Sequence, residues 1–272
     1  GESMQTGMYS TAEVTNNFSD SGAKKANRRA LDLWLLGGLA GAYISIAGIV
    51  SQVIGHDIAK FLGVGVTRLI MGSVFTLGLA LVVLAGAELF TGNCLIVISV
   101  LDKRISWGKL LRNWTIVWLA NALGSALVVA LTVGSGIGSM NGGAVGEFAA
   151  AIAAGKLALP FATVFYKAIL ANWLVCLAVW VASAAKDVAG KVIGMYLPIM
   201  GFVAVNLEHS IANMFAVPFG LAQTGNLNLQ TLTQFFLRNL VPATLGNIVG
   251  GAILVGFLHW YLFSPSRQIA KQ

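Results

Sequence analysis

Long apolar runs, separated by short polar segments, make up most of this chain. A hydrocarbon core about 30 Å thick needs roughly 20 apolar residues per helix, and the pattern predicts six such spans. Their approximate boundaries are 31–54, 65–100, 113–135, 160–183, 192–222 and 238–262. Because the runs are continuous rather than alternating, they favour helices over the strands of a membrane barrel. The pattern therefore predicts an all-α integral membrane protein.

The second and fifth spans are too long for one crossing and are interrupted in the same way. As straight helices they would reach roughly 45–55 Å. Polar residues and glycine stand in the middle of each, in GAELFTGNCL at 86–95 and VNLEHSIANM at 205–214. Both stretches contain Glu-x-x-x-x-Asn, as Glu88 with Asn93 and Glu208 with Asn213, 120 residues apart. We predict that both helices are broken inside the membrane.

The third and sixth spans also share a pattern. RNWTIVWLAN at 112–121 and RNLVPATLGN at 238–247 both begin with Arg and carry Asn at the second and tenth positions. Two matches in the same order predict a duplication of three spans plus three. An odd number of spans per repeat inverts the second copy. Interrupted spans at corresponding positions of inverted repeats indicate a transport path near the membrane midplane.

Composition and charge agree with this assignment. The chain is 57% hydrophobic and 10% charged, whereas soluble domains average about 25% charged residues. Four blocks of Lys and Arg, at 24–29, 103–112, 186–191 and 267–271, hold twelve of the 17 basic residues. Six spans place all four blocks on one side, so the positive-inside rule puts both termini in the cytoplasm. The net charge of +7 reflects this topology, and we expect no nucleic-acid partner.

The chain divides into four parts. Residues 1–7, before Met8, are expected to be a cloning remnant. Residues 8–30 form a cytoplasmic segment in which a short amphipathic helix is possible. Residues 31–263 hold the six spans, and 264–272 form a cytoplasmic tail.

Polar residues inside the spans need partners. Glu88 and Glu208 would each cost about 2.5–3.5 kcal/mol at the centre of a lipid-facing helix, so we expect them to brace the breaks without touching substrate. Asn93, Asn213, Asn121 and Asn247 are candidates for hydrogen bonds between helices. His209 is the one histidine that lies in a break, and we assign it a functional role.

No cofactor is predicted. The two cysteines, Cys94 and Cys176, lie in separate spans without zinc-binding spacing, and haem would need a second buried histidine. We therefore expect neither a metal site nor a disulfide. Ser210 beside His209 is not expected to form a catalytic dyad, because adjacent helical residues face different directions. The chain is not predicted to be an enzyme.

Three segments resemble the signature segments of the formate/nitrite transporter family of microbial membrane channels. They are AELFTGN at 87–93, ANWLVCLAVW at 171–180 and EHSIANM at 208–214, and the similarity extends over residues 30–263. The resemblance implies an aquaporin-like fold, a homopentamer with one pore per protomer, and passage of small monovalent weak-acid anions across a prokaryotic cytoplasmic membrane. It adds no cofactor.

The resemblance also implies roles for particular residues. Thr91 and His209 face each other at the pore centre, near Asn172. Leu89, Phe90 and Val175 match the outer hydrophobic constriction, and Phe75, Leu79 and Phe202 match the inner one. Lys156 matches the lysine that attracts anions in the outer vestibule.

Within the family we rank hydrosulfide first as the substrate, then nitrite, then formate, since the chain most resembles the hydrosulfide members. A bare anion would lose its hydration at the apolar constrictions. We therefore expect His209 either to donate a hydrogen bond or to support protonation, so that the species in the constriction is partly or wholly the neutral acid. These residues do not distinguish a channel from a proton-coupled transporter of the same family, because both would contain all of them. A neutral-solute channel of the aquaporin type is a weaker alternative, because the paired Asn-Pro-Ala boxes are missing. A membrane enzyme or electron-carrier subunit is the weakest alternative. It would need a nucleophile, a metal cluster or paired axial ligands, and the sequence shows none of them.

Overall fold

The computed structural model describes residues 7–269, so most of the predicted remnant at 1–7, and the last three residues of the predicted tail, lie outside it. Within this range the secondary structure is helical, apart from one isolated β-bridge between Met8 and Ala185. The helices are α1 (Thr11–Ala26), α2 (Ala30–Gly55), α3 (Ala59–Ala85), α4 (Phe90–Leu101), α5 (Trp107–Gly134), α6 (Ala144–Leu157), α7 (Phe161–Ala184), α8 (Val188–Ala204), α9 (Ser210–Gln223), α10 (Leu229–Phe263) and α11 (Pro265–Ile269). A short 3₁₀ segment, Ile137–Gly143, precedes α6.

Five of the described helices are long and apolar enough to cross a membrane, namely α2, α3, α5, α7 and α10. The apolar helices α4 and α8 are shorter. The last span begins at 229 rather than 238, because α10 extends into LQTLTQ, where polar and apolar residues are mixed. Helix α3 begins at Ala59 but is kinked at Gly63, whose φ is 81°, so its regular part starts close to the predicted residue 65. Helix α6 was not predicted, because its 14 residues are fewer than the roughly 20 that a span needs.

Both predicted interruptions are present, and their backbones match. After α3 the chain turns at Gly86, whose φ of 84° is left-handed, and is extended at Leu89 (φ −105°, ψ 124°) before α4 begins. After α8 it turns at Asn206, with φ of 57°, and is extended at His209 (φ −105°, ψ 118°) before α9 begins. Leu89 and His209 are therefore equivalent N-cap residues.

Glycines bring the long helices into close contact in both halves. A Cβ at Gly41 of α2 would collide with the backbone of Asn121 in α5, and one at Gly250 of α10 would collide with the backbone of Ile169 in α7. Such small residues allow helix backbones to approach closely within lipid. The pairs α2–α5 and α7–α10 thus form rigid frames around the two broken helices.

One extra helix covers the second part of each broken span. On the side that we call the N-terminal face, α1 lies over α4, where Ser99 Oγ donates to the Ser19 carbonyl at 2.7 Å. The C-terminal segment joins this face because Trp260 Nε1 donates to Asp102 Oδ1 at 2.7 Å. Helix α6 packs in the same way along α9, where Gly220 lies against the backbone of Ala149.

Candidate functional site

A buried carboxylate holds the first break. Glu88 is 1% exposed, and its Oε2 accepts a hydrogen bond from Asn93 Nδ2 at 2.7 Å. The same Nδ2 donates to Asn113 Oδ1 at 3.0 Å. On α1 and just after it, Lys25 Nζ and Arg28 Nε lie 3.6 and 3.9 Å from Glu88 Oε1. These contacts compensate for burying the carboxylate.

The second break repeats this cluster. Glu208 is fully buried, and its Oε2 accepts from Asn213 Nδ2 at 2.6 Å and Asn239 Nδ2 at 3.1 Å. Lys156 Nζ donates to Glu208 Oε1 at 2.9 Å. The residue after each motif arginine, Asn113 in the first half and Asn239 in the second, therefore binds inside a cluster. The repeated Arg-Asn pair in the sequence marked both asparagines, but it did not show which residues they bind.

The last asparagine of each repeated motif binds the break itself. Asn121 Oδ1 accepts from the Phe90 N–H at 2.9 Å, while its Nδ2 donates to the carbonyls of Gly37 (2.7 Å) and Glu88 (3.0 Å).

Asn247 makes the matching set of bonds at the second break. Its Oδ1 accepts from the Ser210 N–H at 2.8 Å, and its Nδ2 donates to the carbonyls of Ala168 (2.9 Å) and Glu208 (3.1 Å). Each asparagine thus satisfies one N–H and one carbonyl that a broken helix leaves without partners, and it also binds a carbonyl of a neighbouring continuous helix.

The two breaks meet at Thr91 and His209. His209 Nδ1 accepts the Ala212 N–H at 3.0 Å, so it caps α9 and carries no proton itself. The ring proton therefore lies on Nε2, which donates to Thr91 Oγ1 at 2.9 Å. This arrangement leaves the hydroxyl proton of Thr91 free to bind another acceptor.

Asn172 connects the same region to α7. It is fully buried, and its Nδ2 donates to the carbonyls of Thr91 at 3.1 Å and Asn247 at 2.7 Å. Nearby, Cys94 and Cys176 are buried free thiols. Within residues 7–269, no group of three or more His, Cys, Asp or Glu side chains is placed to hold a metal ion.

Two cavities approach this centre. The first, which we call the N-terminal cavity, has a volume of about 260 Å³ and is lined by Lys25, Arg28, Leu79 and Leu89, among others. The second, the Lys156 cavity, has a volume of about 340 Å³, and the residues along its walls include Phe75, Lys156, Phe202 and His209. The rings of Phe75 and Phe202 meet edge to face with centroids 5.8 Å apart.

The predicted sides of the two constrictions are wrong relative to Lys156. Phe75 and Phe202, expected at the opposite end from Lys156, line its cavity, whereas Leu89 lines the N-terminal cavity. Leu79 also lines the N-terminal cavity and is separated from Phe75. The reason is the direction of α3, which runs towards the N-terminal cavity, so that position 75 precedes position 79 along the path.

The remaining constriction residues line neither cavity. Phe90 is 2% exposed and lies edge-on to Trp114, with ring centroids 6.0 Å apart. Val175 is also 2% exposed, on α7.

Comparisons with known proteins identify the family to which the chain is similar. The family described as formate/nitrite transporter matches residues 12–261. A probable formate transporter of Methanothermobacter thermautotrophicus is 44% identical over 240 residues, which are 83% of this chain and 86% of that protein. Among solved structures, a pentameric formate channel with formate bound is similar at a TM-score of 0.75 and 38% identity, over 86% of this chain and 97% of the other. An FNT family ion channel is similar at a TM-score of 0.80 and 30% identity, over 92% and 98% of the two chains.

Replacement of Asn247 by Leu should destabilise the protein strongly. The change leaves the Ser210 N–H and the Glu208 carbonyl without the partner that Asn247 provides, at about 1–3 kcal/mol for each buried group left unpaired. Thermal unfolding of the detergent-solubilised protein measures the effect. Asn16→Leu, at an exposed position of α1, is the control and should melt like the unaltered protein. An unchanged melting temperature for Asn247→Leu would contradict the assigned role.

Proposed function

Because the chain belongs to the formate/nitrite transporter family, we propose that it is a channel for small monovalent anions of weak acids in a prokaryotic cytoplasmic membrane. The observation that carries this proposal is the contact of the two helix breaks at Thr91 and His209, with one cation-lined cavity beside each break. A catalytic role has no support, because the family consists of transporters and channels.

We further propose that the membrane portion has six spans in two inverted repeats, with both termini in the cytoplasm. The first repeat comprises α2, the broken pair α3 and α4, and α5. The second comprises α7, the broken pair α8 and α9, and α10. The matching Glu–Asn clusters, Asn clamps and N-cap angles support this correspondence.

The proposed topology predicts which positions are accessible from each side. A cysteine replacing Lys109, exposed at the start of α5, should react with a membrane-impermeant thiol reagent only from the cytoplasm. One replacing Met140, which is 43% exposed, should react only from outside. The native thiols of Cys94 and Cys176 are buried, so the reagent should label them only weakly. Labelling of both positions from the same side would contradict the topology.

The proposed mechanism follows from the cost of removing charge from water. A small anion would lose far more hydration free energy between apolar side chains than a few contacts could return. We propose that the cavities concentrate the anion, with Lys156 contributing to the attraction. At the centre, the Thr91 hydroxyl donates a hydrogen bond to the substrate and keeps its proton, while His209 holds that hydroxyl in place. The anion becomes neutral by taking up a proton from the water that fills the cavity, and the resulting neutral acid is the species that crosses the apolar positions.

The residues around this centre receive separate proposed roles. Leu79 and Leu89 form the constriction towards the N-terminal cavity, with Phe90 and Val175 packed behind it. Phe75 and Phe202 form the other constriction. Asn172 belongs to the pore centre with Thr91 and His209. The remaining polar residues hold the breaks in position and do not touch the substrate, namely Glu88, Glu208, Asn93 and Asn213.

Hydrosulfide remains the substrate that we propose first. Its conjugate acid is weaker than formic or nitrous acid, so it needs the least work to become neutral near pH 7. Formate is the second candidate, because the relative and one of the two solved channels described above are named for formate. We also propose a homopentamer, since that solved channel is pentameric.

Flux into proteoliposomes tests the proposed function. We expect hydrosulfide, formate and nitrite to enter in that order of rate, faster as the external pH falls, while chloride and glycerol stay outside. Mass photometry of the same preparation should show five copies. Glycerol flux without anion flux would contradict the proposed class, and faster formate flux would reverse the substrate order.

Variants at Thr91 and His209 test the proposed centre. Thr91→Val keeps the side-chain volume but removes the donor, and it should lower anion flux about tenfold or more, as expected for one lost buried hydrogen bond. His209→Phe should do the same. His209→Asn keeps a residue suited to capping α9 and should give folded protein. Thr91→Ser retains the hydroxyl and is the control. Full flux through folded Thr91→Val would contradict the role of the hydroxyl.

A further inference from the structure

Lys156 by itself gives the Lys156 cavity little positive charge with which to attract an anion. The ammonium group of Lys156 lies 2.9 Å from Glu208 Oε1, and its side chain is only 12% exposed. Glu208 itself is fully buried. An ion pair of this kind is neutral as a whole, so its attraction for a distant anion is largely cancelled.

A second cation lines the same cavity. Arg68 of α3 is exposed, and it lies four residues after Val64, which also lines the cavity. Residues four apart share one face of a helix. Among residues 7–269, no carboxylate forms an ion pair with Arg68. Its charge is therefore available to an anion that approaches through the cavity.

The N-terminal cavity shows the same balance of charge. There Lys25 and Arg28 both face Glu88, which leaves one net positive charge. In the Lys156 cavity, Lys156 and Glu208 cancel, and Arg68 supplies the net positive charge. The two cavities are electrostatically equivalent only when Arg68 is included.

A buried amide in the Lys156 cavity independently indicates a ligand. Gln52 of α2 lines this cavity and is 4% exposed. Its Oε1 has no hydrogen-bond partner in the described protein. A buried polar atom without a partner is costly unless water or a ligand fills the place. Because the two ends of an amide can exchange positions, Gln52 can present either a donor or an acceptor.

We propose that Arg68 supplies the charge that draws anions into the Lys156 cavity, and that Gln52 is an uncharged hydrogen-bonding contact for them there. This inference rests on the proposed anion transport and assigns its recruitment step at one mouth. A charge at a cavity mouth raises the local concentration of the opposite ion, and salt weakens the effect. Arg68 therefore affects capture, whereas Thr91 and His209 affect the crossing itself.

A thiol reporter measures the potential of the cavity without relying on transport. Val64→Cys places a thiol that is exposed within the cavity, while the native cysteines are buried. The anionic probe is sulfonatoethyl methanethiosulfonate, and the cationic probe is trimethylammonioethyl methanethiosulfonate. In detergent at low salt, Arg68→Gln should lower the anionic-to-cationic rate ratio about tenfold. Arg68→Lys should retain the ratio.

Lys60→Gln is the matched control. Lys60 is exposed on the short segment of α3 before the kink at Gly63 and carries the same charge, but it does not line the cavity. Its replacement should leave the reporter ratio close to that of the Val64→Cys protein. An unchanged ratio in Arg68→Gln, or an equal change in Lys60→Gln, would overturn the assignment of the potential to Arg68.

Flux measurements then test whether this potential recruits substrate. At low ionic strength, Arg68→Gln should lower hydrosulfide and formate flux about tenfold at subsaturating concentration, leave saturating flux unchanged, and match the unaltered protein at high salt. Gln52→Leu should lower flux while leaving the reporter ratio unchanged. Normal subsaturating flux in Arg68→Gln would overturn the recruitment role, and normal flux in Gln52→Leu would overturn the role of the amide. If the unaltered protein carries no anion, the proposed function fails, whereas the reporter ratio still decides whether Arg68 sets the potential.

Discussion

Breaking a helix inside a membrane leaves backbone groups that must find partners in the protein, and the structure depends on how this requirement is met. Water is not available to them in the hydrocarbon region. Here Asn121 and Asn247 each bind one N–H and one carbonyl of a break, together with one carbonyl of a neighbouring helix. The buried carboxylates of Glu88 and Glu208 hold the adjoining asparagines. These side chains allow two interrupted helices to persist where continuous helices would be the simpler solution.

The two halves use the same frame but different residues at one position. Leu89 and His209 are N-cap residues with nearly the same backbone angles. In both halves the first N–H of the second helix binds an asparagine, as Phe90 with Asn121 and Ser210 with Asn247. Leucine has no side-chain acceptor, so α4 lacks a side-chain cap. Histidine caps α9 with one nitrogen and binds Thr91 with the other. This difference puts an apolar side chain beside the N-terminal cavity and a polar side chain beside the Lys156 cavity.

The ion pairs have consequences for the electrostatics of both cavities. A lysine next to a buried glutamate stabilises the break, but the pair presents little net charge to a passing ion. A lysine that stabilises the break by pairing with the glutamate is therefore less able to attract an anion. In our proposal, the positive charge in excess of the glutamate comes from a second cation in each cavity, Arg28 near Glu88 in one and Arg68 in the other.

Sequence patterns by themselves predicted several major features. The apolar runs indicated membrane helices, excess length indicated the breaks, and the repeated Glu and Asn positions indicated a shared construction. These signals are local, because burial in lipid constrains the composition of each segment independently of its neighbours.

Only the tertiary structure decided which groups act together. The partner of Lys156 is 52 residues away, and that of Lys25 is 63 residues away. The hydrogen-bonding state of His209 depends on Ala212 and Thr91 at once. The order of Phe75 and Leu79 along the path follows from the direction of α3 between the cavities. A sequence specifies which side chains need partners, whereas the packing of helices determines which partners lie within reach.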